Sequence, residues 1–115
     1  MTGTHSVAAL AQQRRLVTEL PGPRSRELSA RRDAAVSAGV STAMPVFIAA
    51  AGGGVILDVD GNSLIDLGSG IAVTSVGNAA PAVVAAVHAQ VERFTHTCFM
   101  VTPYESYLAV CEELA

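Results

Sequence analysis

Oxygen-bearing side chains recur every second residue at the start of the stretch LDVDGNSLIDLGSGIA, residues 57–72. Counted from its first aspartate, Asp60 and Asn62 take the third and fifth positions of an EF-hand loop, where such oxygens bind calcium. That loop also needs Gly at position six and a bidentate Glu at position twelve, where this stretch has Ser63 and Ser69. Because the pattern fails at two obligatory positions, we predict no metal site.

The same stretch has the pattern of two strands joined by a tight turn. The flanking segments VIL and LIDL alternate like strands rather than like the helices of an EF-hand. Asp60-Gly61 is a preferred pair for a two-residue hairpin turn, in which both central residues take positive φ. We therefore predict a hairpin, with Asp58 and Asp66 at exposed strand positions.

Two other groupings could carry chemistry. Gly52–Gly54 could cradle a phosphate, but it lacks the ending of a P-loop and the GxGxxG spacing, and a strand connection is favoured. His96 and Cys98 could form a base–nucleophile pair, or supply two of the four ligands of a structural zinc site. Nothing nearby orients the base or adds ligands, so packing and capping roles are favoured. Cys98 and Cys111 are expected to be reduced and buried.

Composition restricts the class of protein. Half of the residues are apolar and 15% are charged, which suits a folded domain. The arginines before residue 40 alternate with Glu and Asp, which indicates a solvated helix face rather than a nucleic-acid surface. No run of 18 apolar residues is present, so we predict no membrane span and expect a cytoplasmic protein. All seven basic residues are Arg, and the chain has no lysine.

Periodicity and turn signals divide the chain into three segments. We predict an N-terminal arm over residues 1–44, with an exposed helix over residues 24–38 that Gly39 closes. Residues 45–77 hold three short apolar runs separated by glycines, which predicts a small antiparallel β-meander with the Asp-Gly hairpin. Residues 78–115 are predicted to be helical.

The helical segment contains two predicted helices. Valines repeat at helical spacing in APAVVAAVHAQVERF, and Pro81 suits the first turn of that helix. A second helix is predicted in TPYESYLAVCEELA, where Thr102 and Glu105 have the spacing of a capping box. No Gly, Asn, Pro or basic residue closes this helix before Ala115. We therefore expect the chain to be the front part of something longer.

Two blocks of sequence from about Pro45 onward resemble the class III pyridoxal-phosphate-dependent aminotransferases. They are DVDGNSLIDLGSGIAVTSVGNAAPAVVAAVHAQ and THTCFMVTPYESYLAVCEELA. The second block is the more specific one and is similar to the 4-aminobutyrate branch of the family. Asn78 and Ala80 stand where the family usually has two histidines, at positions that are expected to be structural. The resemblance implies an α/β fold that is part of PLP-transferase fold type I: an arm helix, the small meander, and helices leading to an absent large domain.

The resemblance also implies a reaction and a site. The expected reaction moves an amino group from 4-aminobutyrate, or a related ω-amino acid, to 2-oxoglutarate, with pyridoxal 5'-phosphate (PLP) as the electron sink. Ile71, in SGIAV, and Met100, just after HTCF, are expected to bind substrate near the interface of a homodimer. Family enzymes attach PLP through a lysine amine, and this chain has none. The residues that bind the cofactor are therefore unknown, and no catalytic residue is expected in this chain.

Alone, the chain is expected to be inactive and, because of its apolar composition, to expose apolar patches and oligomerise. The alternative function is a non-catalytic interaction module that pairs with a full-length subunit.

Overall fold

The computed structural model describes residues 10–115. These residues form α1 (Pro23–Ala35), β1 (Ile48–Gly52), β2 (Val55–Asp58), β3 (Ser63–Ile65), α2 (Ser69–Ala72), α3 (Pro81–Arg93) and α4 (Glu105–Leu114). The chain divides into two compact units, one ending at Pro81 and the other beginning at Ala82. The mixture of helices with a small antiparallel sheet agrees with the predicted α/β class. The segment boundaries at residues 44 and 77 stay predictions.

The first unit is built on a three-stranded sheet in the order β1-β2-β3, with both strand pairs antiparallel. Val55 pairs with Ile65 in the β2–β3 ladder, and Ile56 pairs with Leu64. Among the described residues, Val55 and Leu64 are the buried large apolar side chains, at 1% and 8% exposure. The apolar core is therefore small. Hydrogen bonds from side chains to the backbone hold many of the loops and the arm in place.

β2 and β3 form the predicted hairpin, but its loop has three residues instead of two. The N–H of Gly61 donates to the carbonyl of Asp58 at 3.2 Å, and the N–H of Asp58 donates to the carbonyl of Asn62 at 2.9 Å. Gly61 has a φ of 90°, while Asp60 does not have the positive φ that we predicted. This is a three-residue hairpin closed by a left-handed glycine. The prediction of a two-residue turn is wrong because the side chains of Asp58 and Asn62 pair across the loop and set its length.

Asp58 is buried, with 1% of its surface exposed, although we predicted an exposed strand position. Its Oδ1 accepts the N–H of Asp60 at 2.9 Å and that of Asn62 at 2.8 Å, and its Oδ2 accepts the Asn62 amide at 2.8 Å. The Oδ1 of Asn62 accepts the N–H of Val17 at 2.8 Å and that of Thr18 at 3.0 Å. Burial of a polar group is tolerated when it is hydrogen-bonded. The hairpin loop thus holds these two arm residues.

α1 begins at Pro23, whose missing N–H and restricted φ suit the first helical position. Its N-cap residue, Gly22, offers no side-chain acceptor. The carboxylate of Asp60 supplies one from the hairpin loop, because it accepts the N–H of Arg24 at 2.7 Å and that of Ser25 at 2.9 Å. A Cβ on Gly22 would lie 2.3 Å from Cγ of Asp60, so the glycine leaves room for this cap.

α1 ends at Ala35, before the predicted closing residue Gly39. Val36 is already extended, with φ −103° and ψ 137°, while its N–H still donates to the carbonyl of Arg32 at 2.8 Å. The guanidinium of Arg32 donates to the carbonyl of Val40. The predicted glycine cap is wrong because Gly39 has no positive φ, and Arg32 binds the chain beyond the helix instead.

In the second part of the chain, α3 begins at Pro81 as predicted. α4 begins at Glu105 with Tyr104 as its N-cap residue, and no side chain caps it. The predicted capping box is wrong, because the hydroxyl of Thr102 hydrogen-bonds the hydroxyl of Thr97 and the helix starts later. Neither α3 nor α4 contains a buried residue.

Apolar side chains are widely exposed in both units, as the composition predicted. The most exposed are Leu67, Ile71, Val73, Val76, Met100, Val101 and Leu114. Cys98 and Cys111 are free and exposed. The prediction of buried thiols is wrong because no residue of α3 or α4 is buried, so this part of the chain has no interior in which α4 could place one. None of the helices in residues 10–115 has the length and apolar character needed to cross a bilayer.

Candidate functional site

Ile71, a predicted substrate-binding residue, lies in a backbone segment of unusual hand. All four residues of α2 have positive φ: 49° at Ser69, 62° at Gly70, 63° at Ile71 and 62° at Ala72. We call Ser69–Ala72 the left-handed turn. For a residue with a Cβ this conformation costs about 1–2 kcal/mol, and three of the four residues carry one. Such strain persists only where the surroundings enforce it, and it is concentrated at functional sites.

Asp66 holds the start of the left-handed turn. Its Oδ1 accepts the N–H of Gly68 at 3.1 Å and that of Ser69 at 2.8 Å. Its Oδ2 accepts the side-chain amide of Asn78 at 3.3 Å. The N–H of Asp66 itself donates to the carbonyl of Gly54 at 2.9 Å. The backbone N–H and both carboxylate oxygens of Asp66 are therefore hydrogen-bonded.

A second set of bonds closes the left-handed turn from its far side. The hydroxyls of Ser69 and Thr74 are 2.6 Å apart. The carbonyl of Ser69 accepts the N–H of Val73 at 2.8 Å and that of Thr74 at 3.1 Å. The N–H groups of Ile71 and Ala72 donate to the carbonyl of Gly68 at 2.8 Å and 3.2 Å. The turn is thus bonded at its entry, within itself and at its exit.

The side chain of Ile71 projects into solvent from this constrained backbone, with 94% of its surface exposed. Leu67, just before the turn, is 92% exposed. An apolar side chain held by a strained and hydrogen-bonded turn is available for contact with a ligand or with another protein surface. The first unit therefore holds one of the two predicted substrate-binding residues on a constrained backbone.

Asn78 ties this region to the sheet. Its backbone forms a two-way bridge with Gly53, with N–H to carbonyl distances of 2.8 Å and 2.9 Å. Gly53 has a φ of 57°, and a Cβ on Gly77 would lie 3.1 Å from its Cα. Both glycines therefore permit a close backbone approach at the bridge. The structural role expected for Asn78 is consistent with these bonds.

A cleft of about 250 Å³ adjoins this bridge. It is lined mainly by small and amide side chains, including Gln12, Val76, Asn78 and Ala80. The side-chain amide of Gln12 is hydrogen-bonded to the wall of the cleft. Its Nε2 donates to the carbonyl of Gly52 at 3.0 Å, and its Oε1 accepts the N–H of Gly54 at 3.0 Å. The cleft holds no charged side chain among its lining residues. Its lining therefore offers no titratable side chain for acid–base chemistry.

Met100, the other predicted substrate-binding residue, lies in the second unit at the tip of a turn. The carbonyl of Cys98 accepts the N–H of Val101 and that of Thr102, both at 2.9 Å. Its neighbour Phe99 packs on aromatic rings of the same unit, with centroid distances of 5.4 Å to Tyr104 and 4.3 Å to Tyr107. Met100 itself is 92% exposed. The turn is therefore anchored by Phe99, which leaves Met100 free for other contacts.

The sequence indicated Ile71 and Met100 through resemblance, but it did not indicate the residues that shape the turn. Asp66 was predicted to be an exposed strand residue, but it follows the end of β3 and is half-buried. Ser69 and Thr74 were not predicted to have any role. The signal that could have found the role of Asp66 is the pair Asp66 and Gly68, because an Asp often accepts the N–H two residues on. The left-handed conformation itself has no such local signature at Ile71.

Comparison with known proteins identifies the family. Residues 36–115 match the family described as Aminotransferase class-III. The chain belongs to the class III aminotransferases. The matched part includes both Ile71 and Met100. This class III chain is 67% identical over 108 residues to the 4-aminobutyrate aminotransferase of Mycobacterium tuberculosis, covering 94% of this chain and 24% of the relative.

Other relatives bear different names. The class III chain is 43% identical over 90 residues to the 5-aminovalerate aminotransferase DavT of Pseudomonas putida, covering 78% of this chain and 21% of that protein. It is 37% identical over 106 residues to the alanine/serine racemase of Pyrococcus horikoshii, covering 91% and 22%. The chain spans about a quarter of the length of the curated relatives that it matches.

The family implies PLP, and the side chains of this class III chain can be tested against it. Attachment of PLP as an imine needs a side-chain amine, and the 115 residues include no lysine. Residues 10–115 also contain no group of three or more His, Cys, Asp or Glu side chains that could hold a metal ion. The residues present therefore do not fit covalent attachment of the cofactor.

Proposed function

We propose that this chain is the N-terminal part of a PLP-dependent aminotransferase of fold type I, which acts as a cytoplasmic homodimer. The proposed reaction moves an amino group from 4-aminobutyrate, or a related ω-amino acid, to 2-oxoglutarate. The observation that carries the proposal is the 67% identity over 108 residues to the 4-aminobutyrate aminotransferase of M. tuberculosis. The 43% identity to a 5-aminovalerate aminotransferase supports ω-amino acids as the class of donor.

In this proposal the chain contributes to substrate binding and not to bond making. PLP, when bound, supplies the electron sink of amino transfer, and its attachment lysine comes from outside these 115 residues. Ile71 offers an apolar side chain, 94% exposed, to the methylene chain of the donor. Met100, at 92% exposure, offers a second apolar contact. Each would exclude water from the part of the substrate that carries no charge.

A chimera provides the test. The aligned 108-residue segment of the M. tuberculosis relative is replaced by that of this chain, and we call the product the chimera. We expect it to transfer the amino group of 4-aminobutyrate to 2-oxoglutarate within about tenfold of the kcat/KM of the unmodified relative. Ile71→Ala and Met100→Ala should raise KM, because each removes uniform binding. A chimera that folds and binds PLP but has lost all ω-amino acid activity would overturn the proposal.

The chain alone gives a second test of the same proposal. Incubated with PLP and then borohydride, the 115-residue chain should show no reduced adduct at any side chain, because it has no lysine. Mass spectrometry after proteolysis separates side-chain adducts from a modified N-terminal amine. A stable adduct at one defined side chain would contradict the assignment of the attachment site to residues outside this chain.

An interaction module is the second candidate, and the exposed apolar face of α3 favours it. Val83, Val87 and Val91 recur along this helix at 50%, 54% and 56% exposure. An exposed apolar face of this kind indicates a surface that another segment or another subunit covers. If this chain co-elutes with the full-length M. tuberculosis relative in size exclusion, and the chimera is inactive, the module is favoured over the enzyme.

A further inference from the structure

We infer that Asp66 is a positioning residue that acts through Ile71, and that the left-handed turn between them sets the length of ω-amino acid donor accepted. The inference rests on the proposed function for its substrate, but its structural half stands on this chain alone. Asp66 neither lies on the left-handed turn nor carries an apolar group for the donor. Its effect must therefore pass through the backbone that it holds.

Asp66 connects the sheet to the left-handed turn. Asp66 directly follows β3, and its N–H donates to the carbonyl of Gly54 at 2.9 Å. Its carboxylate binds the N–H of Gly68 and that of Ser69 with one oxygen, and the amide of Asn78 with the other. Because Asn78 is bridged to the β1–β2 connection at Gly53, the carboxylate joins the turn to the sheet by two routes.

The Ile71 side chain is oriented by its own backbone. It is 94% exposed, so it has almost no contacts of its own to choose its orientation. Isoleucine is β-branched, and its χ1 is therefore restricted by its own backbone. The direction of the side chain follows from the φ of 63° and ψ of 58° at Ile71. If the turn relaxed to a right-handed or extended form, the Ile71 side chain would project from the backbone in another direction.

A displaced Ile71 side chain would change which length of donor is accepted. Relatives of this chain include enzymes named for 4-aminobutyrate and for 5-aminovalerate, donors that differ by one methylene. One methylene in an apolar pocket gives about 10- to 200-fold discrimination. A side chain that lines the pocket and is held in one direction by its backbone can distinguish the two donors. A side chain that moved freely would shift aside and admit the longer donor.

The experiment is a double-mutant cycle in the chimera, read as the ratio of kcat/KM for 4-aminobutyrate to kcat/KM for 5-aminovalerate. Asp66→Ala should change this ratio by about tenfold or more. Ile71→Ala should also change it, and Asp66→Ala should then have little further effect, because residues that act through one another are not additive. Asp66→Asn should retain most of the ratio, since its amide oxygen can still accept the N–H of Gly68 and that of Ser69, and only the bond from the Asn78 amide is lost.

The matched control is Asp60→Ala, which removes another carboxylate of the same unit that binds two backbone N–H groups. It should leave the donor ratio unchanged, because it affects the start of α1 and not the turn. The inference is overturned if Asp66→Ala leaves the ratio unchanged, or shifts it equally with and without Ile71. A general loss of stability predicts equal losses for both donors, so it cannot imitate the expected result.

Amide hydrogen exchange on the 115-residue chain tests the structural half without any activity. Asp66→Ala should accelerate exchange at Ile71 and Ala72 by about tenfold or more, since the carbonyl of Gly68 that they bind is no longer held. Thr74→Val, which removes the partner of the Ser69 hydroxyl, should do so to a smaller extent. Unchanged exchange in Asp66→Ala would refute positioning by Asp66 even if the chimera works. An inactive chimera with the expected exchange would refute the proposed function and leave the positioning intact.

Discussion

The side-chain amide of Asn62 donates to Oδ2 of Asp58 at 2.8 Å, and both residues are buried. The same amide donates to the hydroxyl of Thr18 at 2.8 Å, while its oxygen accepts two backbone N–H groups of the arm. One pair of polar residues therefore shapes the hairpin loop and attaches residues more than forty positions earlier. Because the apolar core is small, we expect this pair to matter more for stability than a polar pair usually does.

Asn62→Ala should destabilise the 115-residue chain by about 2–3 kcal/mol, since it leaves Oδ2 of Asp58 and two arm N–H groups without partners. Urea unfolding measures the loss, and amide exchange at Val17 and Thr18 should accelerate. Asp33→Ala is the control, because Asp33 makes only an exposed ion pair with Arg32 and such pairs contribute about 0–1 kcal/mol. Equal effects of the two substitutions would contradict this role of Asn62.

Asp60 should make the start of α1 sensitive to acid. Desolvation raises the pKa of Asp60, but hydrogen bonds from the Ser25 side chain and from the N–H of Arg24 and Ser25, with the charge of Arg26, outweigh it and hold the pKa below its ordinary value of 3.8. A lowered pKa in the folded state stabilises the fold above the unfolded value of about 3.8, and this contribution is lost as the pH falls through the lower, folded value.

An NMR titration of the Asp60 carboxyl carbon should therefore give a midpoint below 3.8. Protection of the Arg24 and Ser25 amides should fall over the same pH range. In Asp60→Asn that acid-dependent loss should be absent, because no charge is removed by protonation. Gly22→Ala should weaken the cap at every pH, since its Cβ would occupy the position of the carboxylate. A midpoint at or above 3.8 would show that Asp60 does not cap α1.

Gly53 and Gly54 form a matched pair for testing close approach. Gly53→Ala should destabilise the chain by about 1–2 kcal/mol, because φ is 57° there and the new Cβ would lie 2.5 Å from Oε1 of Gln12. Gly54→Ala should change stability by less than about 0.5 kcal/mol, since nothing lies within 4 Å of its Cβ position. Urea unfolding of both variants distinguishes them, and an equal response would mean that the bridge region is not closely packed.

Ala72→Gly should stabilise the chain by about 0.5–1 kcal/mol. Ala72 has a φ of 62°, and glycine removes a strain of about 1–2 kcal/mol but adds about 0.5–1 kcal/mol of conformational entropy in the unfolded chain. Ala109→Gly, inside α4, is the opposite control and should destabilise by about 1 kcal/mol. Thermal unfolding measures both. Destabilisation by Ala72→Gly would mean that the left-handed turn is not strained at that residue.

Much of the local structure followed from the sequence because its signals act within one turn of chain. Pro81 starts α3, glycines separate three strands, and Asp60-Gly61 lies in a hairpin loop. The resemblance of the two quoted blocks was sufficient for the family, which the match of residues 36–115 confirms. These conclusions depend on neighbours in sequence or on direct likeness, so no knowledge of the fold was needed.

The tertiary structure decided how the polar residues are used. Asp58 is buried, Asp60 caps a helix from a distant loop, and Thr102 pairs with Thr97 instead of capping α4. The left-handed backbone at Ile71 is set by bonds that converge from Asp66 and Thr74. A side chain's own type determines which hydrogen bonds it can make, but which partner comes within 3 Å depends on distant parts of the chain folding against it.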